Sequence, residues 1–416
     1  VPSYVRYFGD NADGSTVYGA WLTISAVFTW INMFDFGIGN GLRNHLVKSI
    51  ADKDSDTSKR LVSSAYVSVG IISLLFLVAG LVASAFVNWN TAFKVPETLI
   101  STVVFRTFIQ TVFVGVVLHF FFLLVSSIFY ALQKTFWPSM LMLISHSLIL
   151  LYIVFPNGGT LEAKLTELSY VYVLAYNLPI LTATLILFLG KYKEMRPSVR
   201  KFDKDCARKI LSLGGIFFVI QISLIALNSS NELYINTFFN PADVTQYNYY
   251  NKLFYIIVVF ISLLGQPIWS AITKAYCEKR YGWIKSAWKI LTVIQGLCVL
   301  ACVVLAFLYQ PLADIWLGKG KLTVEALPLI LFTLNTIQMV MINTSATVAN
   351  GLGLPKVQAV LTAFGAVVKL PLVWLLSKWL GTWYAVVAAT LIASLPLMIV
   401  MPAQLFRYIS RMGCDE

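Results

Sequence analysis

Eleven long apolar segments limit what this chain can fold into. Each is close to the roughly 20 residues that a helix needs to cross about 30 Å of hydrocarbon. Inside a bilayer the backbone can satisfy its hydrogen bonds only in helices or closed barrels, and continuous apolar runs favour helices. The segments are 18–38, 62–87, 107–132, 136–155, 168–189, 210–239, 246–273, 287–308, 322–348, 357–379 and 383–406.

Composition agrees with this interpretation. The 416 residues are 58% hydrophobic and only 12% charged, whereas soluble domains average about 25% charged residues. We therefore predict an all-α, polytopic membrane protein. Residues 1–9 look like the last turns of a truncated first span, which makes twelve. Because the sequence begins with Val1, we expect an N-terminally shortened chain.

The basic residues predict an orientation. Alternate connections (43–60, 133–135, 190–209, 274–289, 350–356 and the tail after residue 406) hold 22 Lys and Arg, against seven in the others. Cytoplasmic loops collect such residues, so both termini are predicted to be cytoplasmic. The same rule explains the net charge of +12, and no nucleic-acid partner is expected.

One basic connection divides the chain. The stretch 190–209 carries eight Lys and Arg and has six spans on either side. We predict an N-terminal lobe at 1–190, a cytoplasmic linker at 191–209 and a C-terminal lobe at 210–416. Two six-span halves that face each other suggest a transporter with a mid-membrane site, although any twelve-span protein can be cut in half.

Ionisable residues within spans are costly, so each is a functional hypothesis. Asp35 is either a functional acid or a helix-end acid paired with the loop residue Arg43. Arg106 either snorkels to the interface or meets an anionic group in a cavity. Lys369 could snorkel to one interface, but we favour a charge that faces the cavity, beside a backbone that Pro371 could open.

A polar patch interrupts the predicted span 210–239. Asn228, Asn231 and Glu232 are three or four residues apart, which places them on one helix face, and that face should point away from lipid. Lys252 lies within a Tyr-rich run. Its tyrosine rings suit either sugar faces or an interfacial belt.

His119 and His146 lie inside apolar spans. Each is either a proton-coupling residue, because histidine titrates near neutral pH, or a hydrogen-bonding residue between helices. Asp35 and Glu232 complete the coupling candidates. The sequence contains no P-loop and no Ser/His/Asp set in position for catalysis. We expect neither an enzyme, nor a cofactor, nor a metal site.

The run MFDFGIGNGLRN at 33–44, after VYGAW at 17–21, resembles the Wzx-type polysaccharide flippases. These belong to the multidrug/oligosaccharidyl-lipid/polysaccharide exporter superfamily. The resemblance implies two six-helix lobes around a central cavity in the bacterial inner membrane. It also implies alternating-access translocation of undecaprenyl-pyrophosphate-linked oligosaccharides through a cationic cavity. A proton or sodium gradient, membrane lipids, a polysaccharide polymerase and chain-length proteins are the implied partners.

Two other functions compete with this expectation. A cation-coupled multidrug exporter of the same superfamily would favour an acid-rich cavity, whereas the intramembrane charges here are mostly basic. A membrane-embedded polysaccharide polymerase or acyltransferase would need a large periplasmic loop or a loop His/Asp pair, and the sequence has neither.

Overall fold

The computed structural model describes residues 4, 7–8, 13–14, 16–18, 21, 24, 37–93, 95–155, 159–317 and 322–412. Asp35 and most of the predicted span 18–38 lie outside the described residues, as does most of the stretch 1–9.

All regular secondary structure in the described residues is helical. Ten of these helices are long and apolar enough to cross a membrane, so the protein is an all-α, multi-pass membrane protein. The helices are α1 Ile38–Ala51, α2 Ser55–Phe86, α3 Trp89–Phe93, α4 Thr102–Ala131, α5 Phe136–Val154, α6 Leu161–Leu189, α7 Lys204–Leu224, α8 Asn231–Phe238, α9 Pro241–Cys277, α10 Tyr281–Phe307, α11 Tyr309–Leu317, α12 Ala326–Gly351, α13 Pro355–Leu380 and α14 Ala385–Arg411.

The chain forms two compact units, Val1–Gly214 and Gly215–Glu416. In the first unit α4 packs along α6, and α1 packs on both α2 and α4. In the second unit α9 packs along α12 and α13 packs along α14. Each unit has its own buried apolar clusters, one toward each end of its helices.

The outer faces of the long helices are apolar as well. Leu75 and Val367, for example, are 65% and 74% exposed in mid-helix. Water would make such surfaces prone to aggregation, whereas lipid tails solvate them. The exposed apolar faces therefore identify the sides that contact lipid.

The predicted linker 191–209 is partly helical and is tied to the first unit. It forms two short 3₁₀ turns before α7 begins at Lys204. Asp203 accepts hydrogen bonds from the backbone N–H of Cys206 at 3.0 Å and from Arg60 at 3.3 Å. Hydrogen bonding from that N–H lowers the pKa of Asp203 below its ordinary value. This carboxylate caps α7 and holds the linker against α2.

Two expectations about local structure are wrong. The stretch 43–60 is not a loop throughout, because α1 continues to Ala51. The apolar residues of α1, among them Ile38, Leu42 and Leu46, recur at helical spacing and are buried. A boundary drawn from the charged residues alone misses this period.

The predicted span 210–239 is also not one regular helix. A π-helical turn, Ile225–Ser229, separates α7 from α8. Several other helices begin earlier or end later than predicted, including α6 and α9, because polar first and last turns extend helices beyond their apolar part.

Candidate functional site

The motif that predicted the family builds a close helix crossing in the first unit. Gly37 has φ 66°, a conformation that favours glycine, and it precedes the first turn of α1. A Cβ atom at Gly41 would lie 2.5 Å from the backbone oxygen of Ile210, and one at Gly214 would lie 3.2 Å from that of Gly37. Only glycines allow α1 and α7 to approach this closely.

Arg43 lies one half-turn beyond that crossing and is 1% exposed. Its guanidinium lies 4.8 Å from the centre of the Tyr130 ring, on α4. A planar guanidinium stacks well on an aromatic face, and this contact stabilises the charge in a desolvated position. Arg43 was expected in a polar loop, and it is instead a buried residue of a helix.

Lys369 is also buried, at 0% exposure in the middle of α13. Its Nζ atom donates to the backbone oxygen of Leu227, to Ser230 Oγ at 2.9 Å and to Asn231 Oδ1 at 2.6 Å. These acceptors come from the π-helical turn and from the start of α8. The side chain therefore does not snorkel to an interface. It joins two elements inside the second unit.

Asn231 connects the Lys369 site to two further helices. Its Oδ1 also accepts a hydrogen bond from Thr390 Oγ1 on α14 at 3.0 Å. Its Nδ2 donates to the Tyr247 hydroxyl on α9 at 3.1 Å. The amide is thus oriented by donors on one side and by an acceptor on the other. This confirms the inward orientation expected for Asn231.

The rest of that polar patch does not share the face. Asn228 is half-buried and donates to Leu224 O at 3.2 Å, within its own chain segment. Glu232 is exposed, so its predicted inward orientation is wrong. Asn228 belongs to the π-helical turn at 225–229, which interrupts the regular spacing. Glu232 directly follows Asn231 in α8, so its side chain points about 100° away around the helix. Lys252, on α9, is exposed as well.

Arg106 is half-buried in the second turn of α4. Its Nε atom is shielded from solvent and has no hydrogen-bond partner in the described part of the chain. A buried N–H of a cation without an acceptor is costly, so Arg106 carries one unsatisfied donor within the described residues. The predicted choice between interface and cavity stays open for Arg106.

The two predicted histidines meet around a residue that the sequence did not single out. The Tyr176 ring lies edge-on to His119 at 5.5 Å and to His146 at 5.7 Å between ring centres. The Tyr176 hydroxyl is 3.4 Å from His146 Nε2. His119 Nδ1 is buried without a hydrogen-bond partner among the described residues, whereas His146 is exposed. Their role in coupling remains a prediction.

Sequence reasoning missed several members of these sites. Each of four residues completes a contact across helices: Thr390, Ser230, Tyr130 and Tyr176. Their local sequences carry no signal, because a single hydroxyl or aromatic residue in an apolar helix is common. The π-helical turn had one signal, since the run LNSSN places four polar residues in an apolar span.

The described part of the chain buries charged side chains of one sign. Its buried charged residues are Arg43 and Lys369. No Asp or Glu of the described ranges is buried, and no group of three or more His, Cys, Asp or Glu there could hold a metal ion. Each unit thus carries a basic group in its interior and offers no acidic counterpart within the described residues.

Comparison with known proteins places the chain in a family. The model of a family described as polysaccharide biosynthesis protein matches residues 14–273, more than half of the sequence. The chain belongs to this family. A Salmonella typhimurium (strain LT2) protein, provisionally named an O-antigen transporter, is 19% identical over 304 residues, which cover 71% of this chain and 67% of that protein. The family predicted from the motif at 33–44 is confirmed.

Solved structures share the fold. A transporter of the multidrug/oligosaccharidyl-lipid/polysaccharide exporter superfamily from Pyrococcus furiosus has a TM-score of 0.76 at 16% identity, over 99% of this chain and 91% of that one. A multidrug resistance transporter in an outward-facing conformation has a TM-score of 0.74 at 15% identity, over 100% and 92%. This family member therefore has the fold of multidrug/oligosaccharidyl-lipid/polysaccharide exporter superfamily transporters.

Proposed function

We propose that this protein is a flippase that moves polyprenyl-pyrophosphate-linked oligosaccharides from the cytoplasmic to the outer leaflet of the bacterial inner membrane. The observation that carries the proposal is the sign of the buried charge, because Arg43 and Lys369 are both basic. A pyrophosphate bears about two negative charges and cannot enter hydrocarbon unaided. Positive groups in a medium of low dielectric constant attract such an anion strongly.

Arg106 is the candidate for direct contact with the pyrophosphate. It is half-buried, and its Nε atom has no acceptor within the described residues. A guanidinium can bind phosphate oxygens with two parallel hydrogen bonds. Lys369 acts differently, because its donors are already used within the second unit. Its charge contributes to the positive potential without touching the lipid headgroup.

The remaining parts of the proposal follow the family. Alternating access would carry the headgroup across while the polyprenyl tail stays in lipid. An ion gradient drives the cycle, both termini are cytoplasmic, and the product passes to a polysaccharide polymerase with its chain-length proteins. The protein itself performs no catalysis in this proposal.

The test uses the full-length protein in proteoliposomes. A fluorescent polyprenyl-pyrophosphate oligosaccharide is placed in one leaflet, and its movement is followed with and without an imposed proton or sodium gradient. Gradient-dependent movement is the expected result. Export of a cationic dye without movement of the lipid would refute the proposal and indicate the multidrug branch of the superfamily.

The basic residues provide a sharper prediction. Removing one charged interaction with the headgroup costs about 1.5–3 kcal/mol, which lowers translocation roughly tenfold or more. We expect this loss for Arg106→Ala at unchanged expression. Lys369→Ala should also lower translocation, because it removes a buried positive charge that attracts the headgroup from a distance. Lys378→Ala is the matched control, because Lys378 lies on α13 with Lys369 but is exposed near the helix end. Full activity in both test variants contradicts the role of basic charge.

A further inference from the structure

The Lys369 ammonium is enclosed by uncharged oxygens. Leu227 O, Ser230 Oγ and Asn231 Oδ1 each accept one of its hydrogen bonds. An ammonium has three protons; these three contacts are its short ones, and a fourth oxygen, Ala226 O, lies farther away at 3.4 Å from Nζ. We call these three oxygens, one backbone and two side-chain, the Lys369 cage. Oxygen donors without charge are the kind of ligand set that suits a monovalent cation.

The cage depends on two backbone features. The π-helical turn at 225–229 interrupts the α-helical hydrogen-bond pattern, which makes the Leu227 carbonyl available to a donor from another helix. One turn before Lys369, a Cβ atom at Gly365 would lie 2.7 Å from Ala393 O and 3.5 Å from Leu227 Cδ2. Glycine therefore allows α13 to pack closely against α14, next to the π-helical turn that supplies the cage.

No carboxylate of the described residues lies within ion-pair distance of Lys369. The titratable groups that face the cage are the Tyr234 ring, 5.1 Å from Nζ, and Tyr247, which is hydrogen-bonded to the cage amide. The adjacent Glu232 is exposed. A buried cation without a counter-charge is expensive, so among the described residues the Lys369 ammonium depends on the oxygens of the Lys369 cage.

We propose that Lys369 is the proton-binding group that couples the transport proposed above, so that the driving ion is a proton rather than sodium. The tethered ammonium already fills the place that a free monovalent cation would need. When the ammonium loses its proton to water, it becomes a neutral amine with two N–H donors. One of the three short contacts between Lys369 and its cage is then lost, and the link between α13 and the π-helical turn weakens.

The cage itself is tested by melting the purified full-length protein in detergent. Lys369→Ala empties the cage, and in choline chloride its Tm should be lower than wild type by on the order of 5 °C. Ammonium chloride at equal ionic strength should restore most of that loss, because a free ammonium ion can enter the vacated space. Lys369→Met fills the space with a neutral chain, so its Tm should not respond to ammonium.

Wild-type protein should melt at the same temperature in sodium, potassium, ammonium and choline chloride. A wild-type Tm that rises specifically with sodium overturns the proposal, because it would reveal a free-cation site beside an occupied cage. A Lys369→Ala variant that does not respond to ammonium overturns it as well.

The coupling step is tested in proteoliposomes and separates this inference from the flippase proposal. Wild-type movement of the lipid should follow a pH gradient, and Lys369→Met should lose that dependence while any residual movement becomes gradient-independent. Movement driven by sodium alone overturns the proton assignment but leaves the flippase standing. A third outcome is that ammonium restores the Tm of Lys369→Ala but wild-type protein moves no lipid. This outcome refutes the flippase proposal and the coupling role of Lys369, and it leaves the description of the Lys369 cage standing.

Discussion

The two units bury their positive charges in different ways. In the first unit the Arg43 guanidinium lies over the flat Tyr130 ring at 4.8 Å. In the second unit the Lys369 ammonium donates to three oxygens around the π-helical turn. An aromatic face suits a planar, weakly hydrated cation, whereas directed oxygens suit a compact ammonium. The type of basic residue therefore corresponds to the type of partner available.

Position along the helix adds to the difference. Arg43 lies in the second turn of α1, whereas Lys369 lies fourteen residues into α13 and eleven before its end. At 1.5 Å per residue, Lys369 is roughly 15–20 Å from either end of its helix. A cation at that depth cannot reach water by extending its side chain, so it needs built-in acceptors. Depth thus explains why only Lys369 is paired with an irregular backbone turn.

Both cations share one device, a glycine that brings two helices into close contact. Gly41 does this for α1, and Gly365 does it for α13. In lipid, where helices gain little from the hydrophobic effect between them, small residues allow the close packing that holds them together. The comparison therefore predicts that stability depends on the glycine at both sites, even though the cations are bound differently.

The largest expected effect comes from Gly365→Ala and Gly41→Ala. Each new Cβ would meet a backbone oxygen at 2.7 or 2.5 Å, so the helices must separate. Overpacking of this kind costs about 1–3 kcal/mol, which should lower Tm by on the order of 5 °C. Thermal unfolding of the purified protein measures the change.

Gly296→Ala and Gly215→Ala are the matched controls, because a Cβ at either helical position meets nothing within 4 Å. They should leave Tm unchanged or raise it, since alanine is a better helix former by about 1 kcal/mol. Equal losses in the tested and control variants would break the comparison.

A smaller effect is expected at Arg43. Tyr130→Leu removes the aromatic face and should destabilise the protein by about 1 kcal/mol. If that contact is a cation–π interaction, Arg43→Met alone should destabilise the protein by more than Tyr130→Leu does. The double variant should then lose less stability than the sum of the two single variants. Melting all three variants gives the coupling. Strictly additive losses would show that ring and guanidinium are merely neighbours, and the contrast with Lys369 would then lose its basis.

The smallest effect is expected outside the membrane spans, at Asp203. Hydrogen bonding from the Cys206 N–H lowers the pKa of this carboxyl below 3.8. A group whose pKa is lower in the folded state stabilises the fold above its unfolded value, and this contribution is lost as the pH falls through the folded value. Tm should therefore decrease as the pH drops below 3.8.

Asp203→Asn should show a shallower decrease in Tm over the same pH range. Asp54 caps α2, and hydrogen bonds from Thr57 lower its pKa as well. It should therefore retain part of the pH dependence of Tm in this variant. An unchanged pH profile in Asp203→Asn would show that Asp203 does not contribute through its charge.

Much of the architecture was predictable because bilayer thickness imposes one length on every span. All ten candidate spans of the described residues coincide with predicted apolar segments. Family membership was predictable from the run at 33–44. The predicted inward orientation of Asn231 was also correct, since an isolated amide in an apolar helix has to avoid lipid.

Other features depended on contacts between residues far apart in sequence. Whether Lys369 snorkels, lines a cavity or binds within its own unit depends on Leu227, Asn231 and the glycine at 365, and no local pattern connects these positions. Glu232 was expected to share a face with Asn231, but it is exposed, because adjacent residues of α8 point about 100° apart.

The sequence by itself thus determined that the chain spans a membrane many times, where the ten described spans lie, and which family it joins, because these properties follow from local hydropathy and a contiguous motif. Only the tertiary structure decided where the buried charges find their partners. The physical reason is that a desolvated cation is stabilised by the geometry of acceptors within about 3 Å, and helices far apart in the sequence supply those acceptors.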